Sequence, residues 1–184
     1  MRSPSHRFAL LAAVLFAACS RPDYDVVIEN ARVVDGTGNP WMYGDVGIKG
    51  DRIAIIAPRG ALHDRSARQR IDAKGHVVAP GFIDIQNHSW DNVLWKDGRI
   101  PSMVTQGVTS VILGEATTPA PSNDKLEELE EISKMEPARA ELQRSFRGEH
   151  GFGTWLDAIG RHPNSVNAGS YLGAATVRAY AVGQ

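Results

Sequence analysis

The chain has 184 residues, 42% hydrophobic and 22% charged, an ordinary globular balance with enough length to bury a substantial core. Its 20 basic and 21 acidic residues, with a formal net charge of -1, leave no electrostatic footprint for nucleic acid, and that class of partner is excluded. The single cysteine, Cys19, can form neither an internal disulfide nor a cysteine-rich zinc cage, so its position has to explain it.

At the N-terminus, Arg2, His6 and Arg7 form a positive start and residues 8–18 are continuously apolar. Small Ala17 and Ala18 precede Cys19, as in an export signal, and the apolar run is too short to span a bilayer as a mature helix. Residues 16–19, Phe-Ala-Ala-Cys, resemble a bacterial lipobox, which implies acylation of Cys19 after cleavage. Phe16 stands where leucine is usual, so a plain cleavable signal is the alternative. Ser20, rather than Asp, implies the periplasmic face of the outer membrane, with the periplasm as the other location. The membrane is then met only through the lipid anchor.

From residue 24 to 80 the sequence consists of short β-rich runs broken by turn chemistry: 26–34, Gly36-Thr37-Gly38, 45–49, Gly50-Asp51, then 52–57. This spacing predicts a small antiparallel sheet. Val46 with Ile48, and Ile53 with Ile55, are each expected on one packed face, with polar neighbours on the wet face. Residues 81–85, Gly-Phe-Ile-Asp-Ile, read as a strand buried on both faces. A helix at 102–106, a stop at Gly107 and a β-branched run at 108–112 complete a strand–helix–strand order, the pattern of a parallel βαβ unit. Ser122 or Asn123 caps a helix expected over 124–135, with Leu126, Leu129 and Ile132 at helical spacing. A helix at 154–159 and a strand at 165–168 follow. The charge-rich stretch 127–147 reads as a solvated helix face.

The residues most able to carry chemistry lie at 79–88, Ala-Pro-Gly-Phe-Ile-Asp-Ile-Gln-Asn-His. Period-two alternation puts Asp84, Gln86 and His88 on one side of an extended chain. At the C-terminal mouth of a parallel barrel that side is the active site. His63, His76, His150 and His162 sit in turns or polar surroundings and are expected to face solvent. Gly36-Thr37-Gly38 lacks the lysine and the strand-to-helix setting of a phosphate loop, and no Gly-x-Ser-x-Gly elbow occurs.

Val-x-Ala-Pro-Gly-Phe-Ile-Asp before a histidine resembles the first barrel strand of the amidohydrolase superfamily. The β-rich segment before it is similar to that family's flanking domain, through residues 25–31, 34–38, 44–46 and 50–53. Residues 107–114 and 167–173 point to its N-acyl-D-amino-acid deacylase branch. The resemblance implies an α/β fold, a β-rich domain over 20–79 behind the signal at 1–19, and the first part of a TIM-like β/α barrel over 80–184. About three of the eight barrel strands are expected here.

The resemblance further implies a zinc enzyme with one or two metal ions that hydrolyses amide bonds, its substrate an N-acylated D-amino acid. His88 is the metal ligand it implies most directly. The family's first strand ends His-x-His, whereas this chain has Gln86 at the first of those positions, and an amide oxygen is a much poorer zinc ligand than an imidazole. Gln86 is therefore either a ligand or a hydrogen-bonding neighbour of one. Asn-Cys-Gly is replaced by Glu115-Ala116-Thr117, which makes Glu115 the candidate carboxylate ligand, and Gly-His by Gly173-Ala174. Asp84 is expected to orient the strand end through hydrogen bonds. A general base from a later strand is expected beyond Gln184, so the 184 residues alone are expected to be inactive. Two other readings stay open: a binding lipoprotein that keeps the fold without the chemistry, and a cyclic-amide or dipeptide hydrolase.

Overall fold

The computed structural model describes residues 21–129 and 132–183; the segment expected to be an export signal, with Cys19, lies outside them. The chain divides into two units between Pro80 and Gly81.

The first unit is one sheet built from β1 (Tyr24–Val33), β2 (Met42–Lys49), β3 (Arg52–Pro58), β4 (Ala67–Asp72) and β5 (Val77–Val78). The order is β3-β2-β1-β4, with β5 also on β1. β2 is antiparallel to β1 and to β3, but β4 and β5 run parallel to β1. The sheet is thus mixed, where the sequence predicts an antiparallel one. The cause is the crossover at 59–66, which returns the chain to the start of β1 and carries Leu62 into a buried cluster with Val27 and Ala57. Parallel strands need such a return, and burial of an apolar side chain on the way stabilises it.

A bulge in β1 decides which side chains share a face. Register slips between Ile28 and Ala31, where Asn30 adopts a left-handed φ of 58°, a conformation asparagine tolerates better than most residues. One extra residue reverses the alternation. Ala31 and Val33 accordingly join Val46 and Ala73 in a second cluster, apart from Val27. A similar slip lies between Gly47 and Ile48 on β2. It sets Ile53 opposite Ile48 and Ile55 opposite Gly47, so the two isoleucines expected together fall on different faces, and both stay exposed.

The second unit carries β6 (Phe82–Asp84), α1 (Trp90–Leu94), α2 (Pro101–Val104), β7 (Val108–Leu113), α3 (Asp124–Leu129), a 3-10 turn (Ile132–Lys134), α4 (Pro137–Arg144), α5 (Gly151–Arg161), β8 (Asn167–Ser170) and α6 (Ala174–Val182). β6, β7 and β8 form a parallel sheet in that order, joined by helical crossovers. Val93, Ile100, Val111, Leu113, Phe146 and Trp155 make the heart of its core. The helix expected over 124–135 is shorter, and Asn123 caps it by accepting the Leu126 N–H at 3.2 Å. α5 is longer than expected and β8 begins two residues later.

The expectation that residues 81–85 are buried on both faces is not met: Phe82, Ile83 and Ile85 are 61%, 63% and 72% exposed. Among the described residues β6 has β7 as its one strand neighbour, and it ends at Asp84 because the Gln86 N–H turns back to the Asp84 carboxylate.

Candidate metal centre

The three parallel strands end on the same side of their sheet, as side-by-side strands running one way must. At the tip of β6, Asp84 Oδ2 accepts the Asn87 side-chain amide at 2.7 Å and Oδ1 accepts the Gln86 backbone N–H at 3.1 Å. The Asn87 bond first and the Gln86 N–H second hold the Asp84 carboxyl below its ordinary pKa, since each stabilises the ionised form. Asn87 is itself buried. Its N–H bonds to the Ile112 carbonyl of β7 at 3.2 Å, and its Oδ1 accepts the Ser89 N–H at 2.8 Å, at the entry to α1. Sequence reasoning missed Asn87. The available signal was its place two residues before Ser89, the spacing at which an asparagine side chain closes a turn on the backbone.

At the tip of β7, Gly114 has φ +85°, and a Cβ there would run into the Tyr171 carbonyl. Glycine therefore lets the chain turn tightly and present Glu115 beside the end of β6. Glu115 Oε1 accepts the Gln86 side-chain amide at 2.8 Å, and Glu115 Oε2 lies 2.9 Å from His88 Nε2. The His88 and Glu115 side chains are 60% and 45% exposed, so the pair opens to solvent.

Of the residues singled out in the sequence, the structure brings Gln86, His88 and Glu115 together. Asp84 does not join them by strand alternation. The strand has already ended, and its carboxylate is committed to the turn that delivers Gln86 and His88. Cys19 lies outside the described residues. Ala116 and Ala174, the positions without a ligating side chain, fall in adjoining stretches. The Ala116 carbonyl accepts the Ala175 N–H at 3.0 Å, and a Cβ on Gly173 would lie 2.8 Å from that same carbonyl. Thr118 and Thr176 hold this junction through Thr118 N–H to Thr176 Oγ1 at 2.8 Å and Thr176 O–H to the Thr118 carbonyl at 2.9 Å.

The donors meet zinc chemistry halfway. An imidazole and a carboxylate are ordinary zinc ligands, and they face one another at 2.9 Å, but zinc takes about four donors. Among the described residues no group of three or more His, Cys, Asp or Glu is placed to hold a metal ion. His88 and Glu115 therefore fit as part of a ligand set.

A parallel strand–helix sheet with an imidazole–carboxylate pair at its C-terminal edge, in a chain that also carries a small β-rich unit, is the arrangement of a TIM-barrel amidohydrolase, and the chain's homologues are of that superfamily. Its homologues there are D-aminoacylase and N-acyl-D-glutamate deacylase. D-aminoacylase of Alcaligenes xylosoxydans xylosoxydans is 36% identical over 85% of this chain and 30% of its own length. A D-aminoacylase structure described with a binuclear metal centre aligns with a TM-score of 0.69 at 34% identity, over 88% of this chain and 32% of that one. N-acyl-D-glutamate deacylase of Bordetella bronchiseptica, solved with zinc and a phosphonate mimic of the tetrahedral intermediate, aligns with a TM-score of 0.63 at 26% identity over the same shares. The chain thus spans about 30% of the length of the relatives it matches. No family model matches it.

Proposed function

We propose that the whole protein is a metal-dependent amidohydrolase that removes the acyl group from N-acyl-D-amino acids. The observation that carries this is the meeting of His88 and Glu115 at the C-terminal ends of adjacent parallel strands, where barrel enzymes assemble their sites. Similarity to proteins named as deacylases supports the substrate class. Zinc would be held by His88 Nε2 and Glu115 Oε2, and when bound it supplies an acidified water and a polarised carbonyl. The tip of β6 contributes orientation: Asp84 and Asn87 fix the turn so that His88 faces Glu115. Further ligands and the group that transfers the proton are assigned to parts of the protein outside these residues. With two donors against the roughly four that zinc takes, the 184 residues alone are expected to lack activity. We further infer export, with Cys19 acylated and the enzyme held at the periplasmic face of the outer membrane.

A second reading, a binding protein without catalysis, is favoured by Gln86, Ala116 and Ala174, three positions where a ligating side chain is missing. Elemental analysis of the purified full-length protein, as wild type and as His88→Ala, separates the two. About one zinc per chain, lost on substitution, together with release of free amino acid from N-acyl-D-amino acids, supports the deacylase. A folded wild-type protein free of metal would leave the binding protein.

A further inference from the structure

We propose that Gln86 is a positioning residue for the metal centre: its side-chain N–H holds Oε1 of Glu115 and thereby aims Oε2, together with His88 Nε2, at a single shared ion. This rests on the metal-site reading above and adds to it a role for the residue that stands where an imidazole would otherwise be.

The argument begins with the chemistry of the contact. An ionised carboxylate has acceptors only, so the end of the Gln86 amide that lies 2.8 Å from Glu115 Oε1 is the NH2 end. An amide oxygen at that distance would set two acceptors against each other. The nitrogen is thus committed to Glu115, and it carries no lone pair able to bind a metal. One Glu115 oxygen faces Gln86 and the other faces His88, so the two residues flank the carboxylate from opposite oxygens and its rotation is stopped. Glu115 needs that restraint, because it follows Gly114 at φ +85° on an open loop and its side chain is 45% exposed. The Gln86 backbone is fixed in turn, its N–H bonded to Asp84 Oδ1 at 3.1 Å. A hydrogen bond from a neighbour that orients a ligating carboxylate commonly changes metal affinity by about 10–100-fold on removal.

The test uses the full-length protein as wild type, Gln86→Ala, Gln86→Met and His88→Ala. Gln86→Met keeps the length of the side chain and removes both polar ends. Zinc affinity is read by competition with a chelating dye, the ligand set by the visible absorption of the cobalt(II)-loaded protein, and folding by thermal unfolding of each variant. Expected for Gln86→Ala and Gln86→Met is a loss of affinity of about 10–100-fold, with the cobalt spectrum at saturation keeping the wild-type shape. Unchanged affinity in both overturns the positioning role while leaving the metal site standing. A changed cobalt spectrum also overturns it, because it makes Gln86 a ligand. Wild-type affinity in His88→Ala overturns the metal-site reading itself, whichever way the Gln86 variants behave.

Discussion

Asn87 ties three groups at once: it donates to Asp84, accepts from Ser89 and bonds the β7 backbone, and it is buried while doing so. Asn87→Ala removes the partner of the Ser89 N–H and leaves Asp84 with the Gln86 N–H but without its bond on Oδ2, and a loss of about 1–3 kcal/mol of stability is expected in urea unfolding. The effect carries a pH signature. Because the folded-state pKa of Asp84 is lowered, its contribution is complete above the ordinary carboxylate value of about 3.9 and disappears as pH falls through the lowered one. The stability gap between wild type and Asn87→Ala is therefore expected to be widest near neutrality and to narrow in acid. A gap that does not narrow as the pH falls below the ordinary carboxylate value would show that Asp84 is not its source. His88 and Gln86 were legible in the sequence, since a strand pattern before a histidine is a local signal. Asn87 was not read: its side-chain bonds to Asp84 and Ser89 are local, but its burial and its backbone bond to Ile112 depend on another strand.

At the level of elements, the same distinction between local and distant information holds. The turns at Gly36-Thr37-Gly38 and Gly50-Asp51 and the β-branched strand at 108–112 could be read directly, and β2, β3 and β7 lie close to those positions. The parallel addition of β4 to β1 could not, as it depends on a crossover held by the burial of Leu62 and by one distant carboxylate. Asp45, which alternation assigns to the wet face of β2, is fully buried. It accepts N–H groups from Asn30 at 3.2 Å, Gly60 at 2.7 Å and Leu62 at 3.3 Å, joining the β1 bulge to the crossover. Removing it would orphan three backbone donors around a buried site. Asp45→Ala is expected to destabilise the first unit by about 3 kcal/mol or more, as measured by chemical unfolding followed through hydrogen exchange of the β1 and β4 amides. A change below about 0.5 kcal/mol would mean that water replaces the carboxylate.

Across the whole molecule, the two units show different amounts of exposed apolar surface for different reasons. In the first, Ile53 lines an apolar cleft with Ile28, Val46 and Ile48. In the second, Phe82, Ile83 and Ile85 stand open beside an edge of β6 that no strand among the described residues pairs. Open strand edges flanked by apolar side chains favour pairing with another chain. The 184-residue chain by itself is expected to bind a hydrophobic dye and to sediment as more than a monomer. A monodisperse monomer with no dye binding would show that this surface is covered in solution. The superfamily was legible from the sequence because short motifs recur in a fixed order over most of the chain. The exposure was not, because burial depends on neighbours that a local pattern does not name.

The central place of β1 also sets an order of assembly. Its antiparallel neighbour β2 follows at once in the chain, and β3 after it. The parallel neighbour β4 comes only once the crossover is complete. Closing the longer loop costs more chain entropy, so the meander is expected to form first and β4, then β5, to be added last. A chain threaded N-terminus first through a translocation channel would hold one side of β1 partly unsatisfied until Val78 had emerged. The interval of greatest need for a chaperone would then fall in the first sheet, before any barrel strand has left the channel.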